Sequence, residues 1–253
     1  MASRERLVRY VARRGVATII LDRPAARNAL SSALVAQLDD ALTRADQDPE
    51  IAAIMITGRD PAFCAGLDIR EFRATGCPPA GASDLILRVP TLTKPTIGAV
   101  NGPVVTGGLE LALGLDILVA SERATFSDTH AAVGILPGGG LTARLPRAVG
   151  PRLAVEMSFT GRVLQAGEAL RAGLVTHVVP HDQLLATAQQ IGETIASRDA
   201  AVVRELKRLY RTSLDTTLEG AVRNEVSERD ARRERGGQLL PTSERVAIRD
   251  SVS

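Results

Sequence analysis

Two short β-rich runs, Leu7 to Val11 and Val16 to Leu21, flank Arg13, Arg14 and Gly15, and this sequence of apolar run, turn and apolar run predicts a hairpin. A turn follows over Arg23 to Asn28. Beyond it Leu34, Val35, Leu38, Ala41 and Leu42 recur at the spacing of one buried helix face. Ser31 or Ser32 stands where the cap belongs, and Asp48-Pro49 ends the pattern. Ile51 to Ile56 is apolar throughout, as a strand covered on both faces requires. Strand, helix and buried strand make a crossover unit, which places the chain in the α/β class.

The same grammar returns after a Gly/Pro-rich stretch from Gly76 to Gly81, expected to be a mobile surface segment. Pro95 to Val100 reads as a strand, Gly107 to Leu115 as a helix, and Ile117 to Ala120 and Ala124 to Ser127 as further strands. No self-similar period marks a propeller or a helical solenoid. From Leu141 onward the pattern turns helical, through Arg152 to Phe159, Ala166 to Ala172, Leu184 to Ser197, Ala200 to Tyr210 and Thr217 to Arg235. The expected organisation is a core over residues 1–195 and a helical region over 196–253, with a polar, partly disordered tail after Gly236. The Arg/Glu-rich run from Val222 to Arg235 reads as a solvated helix face, with a subunit contact as the alternative.

Composition narrows the setting. At 253 residues and 45% hydrophobic the chain can bury a sizeable core without disulfides or a metal. Its 31 basic and 29 acidic side chains leave a formal charge of +2, too small an excess to argue for nucleic acid or an anionic membrane. Cys64 and Cys77 are the only cysteines, which suits a reducing compartment. No apolar leader follows Met-Ala-Ser-Arg-Glu-Arg, and no apolar run has the length of a membrane span. A cytoplasmic location is expected.

Chemistry concentrates in two glycine-bearing turns. Asn101-Gly102-Pro103-Val104-Val105-Thr106-Gly107-Gly108-Leu109-Glu110 joins a buried strand to an apolar helix, where paired glycines admit close approach and the first N–H groups lack intrahelical partners. Such a junction receives negative charge. Glu110 lies in the first turn of that helix, either complementing its dipole or aiming a carboxylate into the same concavity. The second turn, Ala62-Phe63-Cys64-Ala65-Gly66-Leu67-Asp68, follows the strand Ile51 to Ile56. Parallel strands bring such turns together at their carboxyl ends, so two backbone N–H groups can converge on one oxygen.

These residues, with Leu21-Asp22-Arg23-Pro24, Arg27-Asn28-Ala29-Leu30, Asp116, Gly134-Ile135-Leu136-Pro137-Gly138 and Gly173-Leu174-Val175, occur in the order and spacing of the crotonase (enoyl-CoA hydratase/isomerase) superfamily. The chain resembles that superfamily over roughly residues 5–210. The resemblance implies a spiral of repeated β-β-α turns followed by a helical trimerisation region, in trimers or dimers of trimers. It implies an acyl-CoA or enoyl-CoA thioester as substrate, with no separate cofactor and no metal, coenzyme A being part of the substrate. The thioester oxygen would lie between the backbone N–H groups of Leu67 and Gly107, with Gly66, Asp68 and Gly108 around it. The Ala65 carbonyl would accept from the adenine amino group, and Arg27 would meet a CoA phosphate, an exposed solvated arginine being the plainer alternative.

The sequence departs from the superfamily's hydratases at one place. They carry two glutamates, and an ungapped match from Glu110 through Asp116 and Phe126 sets His130 at the second. Histidine, with a reference pKa of about 6.5, can act as acid or base near neutrality. Three readings of His130 stand: acid/base partner of Glu110, lining of the substrate pocket, or buried structural histidine. Hydration is the leading expectation, with double-bond isomerisation or acyl-CoA binding without efficient chemistry as alternatives.

Other constellations are weaker. Ser127, Asp128 and His130 have the types of a hydrolase triad, but on an extended segment such close neighbours point apart. Gly138-Gly139-Gly140 lacks the Lys-Ser/Thr of a P-loop. His177 and His181 read as surface residues without a metal.

Overall fold

The first turn is made by two consecutive residues with positive φ, Arg14 (48°) and Gly15 (75°). They join β1 (Val8–Arg13) to β2 (Val16–Leu21), with Arg13 paired to Val16 across them. That pair of left-handed residues gives the connection the twist an antiparallel hairpin needs. The structure, a computed structural model, describes residues 5–236. After β2 the chain enters α1 (Ser32–Gln47), and Ser31 is the cap, its Oγ accepting from the Leu34 N–H. Leu34, Val35, Leu38, Leu42 and Ala45 form the buried face of α1.

β3 (Ala53–Gly58) is buried along its whole length. There follow α2 (Ile69–Thr75), α3 (Ala82–Arg88), β4 (Thr96–Val100), β5 (Val104–Val105), α4 (Gly107–Leu113), β6 (Ile117–Ser121) and β7 (Thr125–Ser127). The chain continues through α5 (His130–Val133), α6 (Leu141–Val149), α7 (Pro151–Thr160), β8 (Leu164–Gln165), α8 (Ala166–Arg171), β9 (His177–Val179), α9 (Leu184–Ala196), α10 (Ala200–Ser213) and α11 (Leu218–Glu234).

A six-stranded sheet runs β1-β2-β3-β4-β6-β9, antiparallel only at the hairpin. One face sets Ile19, Leu21, Ile54 and Ile56 into the main core with the buried residues of α1. The other sets Val16, Met55, Ile97, Ala99 and Val119 against Leu184 and Ala188 of α9. Cover on both faces explains the unbroken apolar run at β3.

A smaller sheet, β5-β7-β8, stands beside it. Leu30 bridges to Leu67, Cys64 to Val104, and Val105 pairs with Ser127, all parallel. The segments that follow β2, β3, β4 and β6 are thereby stacked side by side. This places the two glycine turns next to each other.

Between the helices expected after Leu141 lie two strands that the pattern does not show: β8 pairs with β7, and β9 adds to the main sheet beside β6. Two- and three-residue strands are too short for an alternating pattern to show. Gly76 ends α2 and Gly81 begins α3, so the Gly/Pro-rich stretch is the link between two helices, one of which the pattern had not shown.

The residues fall into two compact units, the first ending at Arg204 and the second beginning at Glu205; the expected boundary was between residues 195 and 196. In the second unit α11 buries no side chain, and Arg208 pairs with Glu228 at 2.7 Å and Arg223 with Glu219 at 2.6 Å. The tail expected to be disordered lies outside the described residues. No helix among the described residues is long and apolar enough to cross a membrane.

Candidate active site

The loop after β2 is pinned by Asn28, a buried residue in the left-handed region (φ 57°). Its Oδ1 accepts from the Arg23 N–H at 2.9 Å, and its Nδ2 donates to the carbonyls of Arg59 and Ala62 at 2.8 and 2.6 Å. Arg27 precedes it, exposed, and the Arg27 carbonyl accepts from the Ala65 N–H at 3.0 Å. The two residues assigned by resemblance to the nucleotide end of CoA are therefore neighbours. Asp68, expected near the substrate, has both carboxylate oxygens engaged elsewhere. Oδ1 caps α2 by accepting from Arg70 and Glu71 N–H groups, and Oδ2 pairs with Arg23. Burial alone would raise the Asp68 pKa, but those N–H groups and the Arg23 charge hold it below the usual value.

The turn that opens α4 faces the Gly66-Leu67 peptide. A β-carbon on Gly107 would stand 3.4 Å from the Leu67 nitrogen, and one on Gly66 would stand 3.2 Å from the Gly107 nitrogen. Among the described residues neither the Leu67 nor the Gly107 N–H donates a backbone hydrogen bond outside regular helix and strand. Gly108 allows this approach: a β-carbon there would lie 2.2 Å from the Cys64 carbonyl oxygen. Burial pushes the Cys64 thiol up to about 12, so it stays protonated near neutrality. Thr106, just before Gly107, takes φ 52° and ψ −109°, a conformation rare for a side chain on a β-branched carbon. Its hydroxyl is 2.5 Å from that of Thr129 and accepts from the Thr129 N–H at 3.1 Å.

Glu110 sits one turn into α4 and points its carboxylate toward the segment before α6. Oε1 accepts from the Gly139 N–H at 2.7 Å and the Leu141 N–H at 3.3 Å. Arg144 donates to the Gly139 carbonyl at 2.9 Å, bracing the same peptide. Burial lowers the Arg144 pKa, with the Glu110 carboxylate opposing part of that shift. Oε2 of Glu110 lies 3.9 Å from Nε2 of His130, the two side chains only 5% and 8% exposed. On its other edge the imidazole places Nδ1 at 2.6 Å from Oδ1 of Asp128, which also accepts from the His130 N–H at 3.1 Å. Burial would raise Asp128, but hydrogen bonds with His130 and Ser158 outweigh that and lower it.

The sequence profile described as Enoyl-CoA hydratase/isomerase matches residues 12–231. A protein of Dictyostelium discoideum named "Probable enoyl-CoA hydratase, mitochondrial" is 40% identical over 213 residues, covering 83% of this chain and 77% of the relative. The crystal structure of an enoyl-CoA hydratase from Mycobacterium tuberculosis superposes with a TM-score of 0.75 at 45% identity, covering 90% of this chain and 99% of that one. One from Bacillus anthracis gives 0.84 at 32%, covering 89% and 90%. The chain belongs to the enoyl-CoA hydratase/isomerase family.

In this member of the family, Leu67 comes from the loop after β3, Gly107 and Glu110 from α4 and His130 from the start of α5, while Gly108 serves the packing of α4 on the Cys64 peptide. The structure corrects one reading of the sequence. Asp128 and His130 do meet, because His130 opens the short helix α5 instead of continuing an extended strand. Gly134, with φ 72° at the end of α5, was the signal for that helix. Gly139, Leu141 and Arg144 escaped notice, since the glycine run was weighed only as a phosphate loop. His181 is not simply a surface residue either: Nδ1 meets Ser121 Oγ at 3.0 Å and Nε2 meets Asp60 at 3.1 Å. Ser121 is fully buried, so these three types tie loops together and offer no nucleophile. An open cleft of about 490 Å³ between α1 and α3, lined by Val35, Asp39, Leu85 and Arg88 among others, includes none of the expected site residues.

Proposed function

We propose that this family member adds water across the double bond of an enoyl-CoA thioester. The observation that carries the reading is the pair of main-chain N–H groups, Leu67 and Gly107, side by side where α4 begins, the helix that also bears Glu110, whose carboxylate lies 3.9 Å from His130. As hydroxide character attacks the β-carbon, charge gathers on the thioester oxygen, and donors already aimed there stabilise it, each by about 3 kcal/mol. Glu110 and His130 hold the water between them: a proton is drawn from it, and the α-carbon receives one. Glu110 is well suited to a fixed role because two N–H groups hold Oε1 and leave Oε2 toward His130.

Ala65 and Arg27 receive the adenine and a phosphate of CoA, which enters as part of the substrate and makes a separate cofactor unnecessary. We place the protein in the cytoplasm, in keeping with two unpaired cysteines. We further propose an oligomer, trimer or hexamer, supported by Leu206, Tyr210, Leu214, Leu218 and Val222, which lie exposed in the second unit. Turnover of an enoyl-CoA in water enriched in heavy oxygen tests the reaction. One solvent oxygen in a 3-hydroxyacyl-CoA product is expected, whereas a shifted double bond without solvent oxygen makes the protein an isomerase.

A further inference from the structure

The hydration reading leaves open which edge of His130 carries its proton, and the contacts of the ring decide this. An ionised carboxylate can only accept hydrogen bonds. Oδ1 of Asp128, at 2.6 Å from Nδ1, therefore requires that nitrogen to be the donor. The same oxygen is fixed by the His130 main-chain N–H, so carboxylate and ring are locked to one another through a two-residue loop. Asp128 is buried, and its hydrogen bonds with His130 and Ser158 keep it on the ionised side.

We propose that Asp128 is a positioning residue: by taking the Nδ1 proton of His130 it presents a bare Nε2 toward Glu110 and makes the imidazole the base that activates the added water. Nε2 and Oε2 of Glu110 are then two acceptors 3.9 Å apart, too far for a direct hydrogen bond. One water with O···N and O···O distances of about 2.8 Å spans that gap, giving one hydrogen to each acceptor. Both its hydrogens are thus occupied, and its lone pairs face outward. As its oxygen bonds to the β-carbon, one O–H bond breaks and the proton passes to Nε2. The imidazolium, stabilised by Asp128, returns that proton to the α-carbon, so a single water supplies both added groups and the histidine ends as it began.

The water rests on the hydration reading, but the tautomer does not, and the test separates them. Nitrogen-15 spectra of histidine-labelled protein are expected to show His130 as the Nδ1–H tautomer in the wild type. In Asp128→Asn, whose amide can donate to Nδ1, the Nε2–H form is expected to predominate. On a substrate the wild type hydrates, Asp128→Asn is expected to lower kcat at least 100-fold with KM changed less than about threefold, in line with what a misplaced imidazole proton costs elsewhere. Asp128→Glu, which keeps an acceptor, is expected to recover part of both signals. A wild-type spectrum showing Nε2–H overturns the proposal whether or not any variant folds. So does a folded Asp128→Asn with kcat within threefold of wild type, or with a large loss of kcat and an unmoved tautomer. Absence of hydration by wild type with the Nδ1–H tautomer in place instead overturns the hydration reading alone.

Discussion

Glu110 depends on groups that a sequence reading assigns no chemistry. Its Oε1 is held by the N–H groups of Gly139 and Leu141, and Gly139 is the residue that can approach it. A β-carbon at Gly139 would come within 2.6 Å of Ile86 Cγ2 and 2.9 Å of the Glu110 carboxyl carbon. Gly139→Ala is accordingly expected to displace the carboxylate, reducing kcat by about tenfold or more while costing about 1–3 kcal/mol of stability. Steady-state kinetics on an enoyl-CoA and urea unfolding measure the two effects, and an alanine variant with wild-type kcat would refute the assignment. Glu110→Gln keeps the size of the side chain but not its basicity, and a fall of roughly 10²–10⁴ in kcat is expected. Glu110 stands out from its place in the first turn of α4 and His130 only from the resemblance to the superfamily, but their partners show in neither. Hydrogen bonds over 29 and 31 residues leave no mark on local pattern.

At the level of elements, the two glycine turns were readable because each follows an apolar strand and precedes a helix. Their approach depends on α4 lying directly on the Cys64 peptide, with Gly108 in contact with that carbonyl. Gly108→Ala is expected to push α4 away from the 62–68 loop, separating Leu67 N–H from Gly107 N–H. Loss of one aligned donor costs about 10²–10³ in kcat. The affinity for free CoA, whose nucleotide contacts are proposed to lie on Arg27 and Ala65, is expected to change much less. A calorimetric titration with CoA alongside kinetics checks this split, and equal losses in both would contradict it. The helix α5 was missed because four residues are too few to display a periodic face, and β9 because three residues are too few to alternate.

For the molecule as a whole, several carboxylates tie separate segments together through hydrogen bonds. Asp22, Asp68 and Asp128 would each be raised by burial, yet Arg59 and Arg9 for the first, the α2 N–H groups and Arg23 for the second, and His130 with Ser158 for the third bring them below the ordinary value. A carboxyl with a depressed folded-state pKa contributes stability in full above its unfolded value of about 3.9, and loses it as pH falls through the lower folded value. The melting temperature is expected to hold steady from about pH 7 to about 5 and to fall steeply below about 4. Asp68→Asn is expected to lower the neutral-pH melting temperature and to shrink the acid step, as circular dichroism melts would show. A melting curve unmoved down to pH 2 would refute this account.

The amino-acid sequence alone determined the alternation of strand and helix, the buried strand at Ile51 to Ile56 and the glycine turns. These follow from periodicity and from backbone chemistry confined to a few neighbouring residues, whereas His130 stood out only through the resemblance to the superfamily. Only the tertiary structure decided that Asp128 meets His130, that Gly139 and Leu141 hold Glu110, and that Asp68 serves a cap and an ion pair. Those pairings arise where stacked turns bring distant segments within hydrogen-bond reach, and such distances are a property of the packed chain and of no stretch within it.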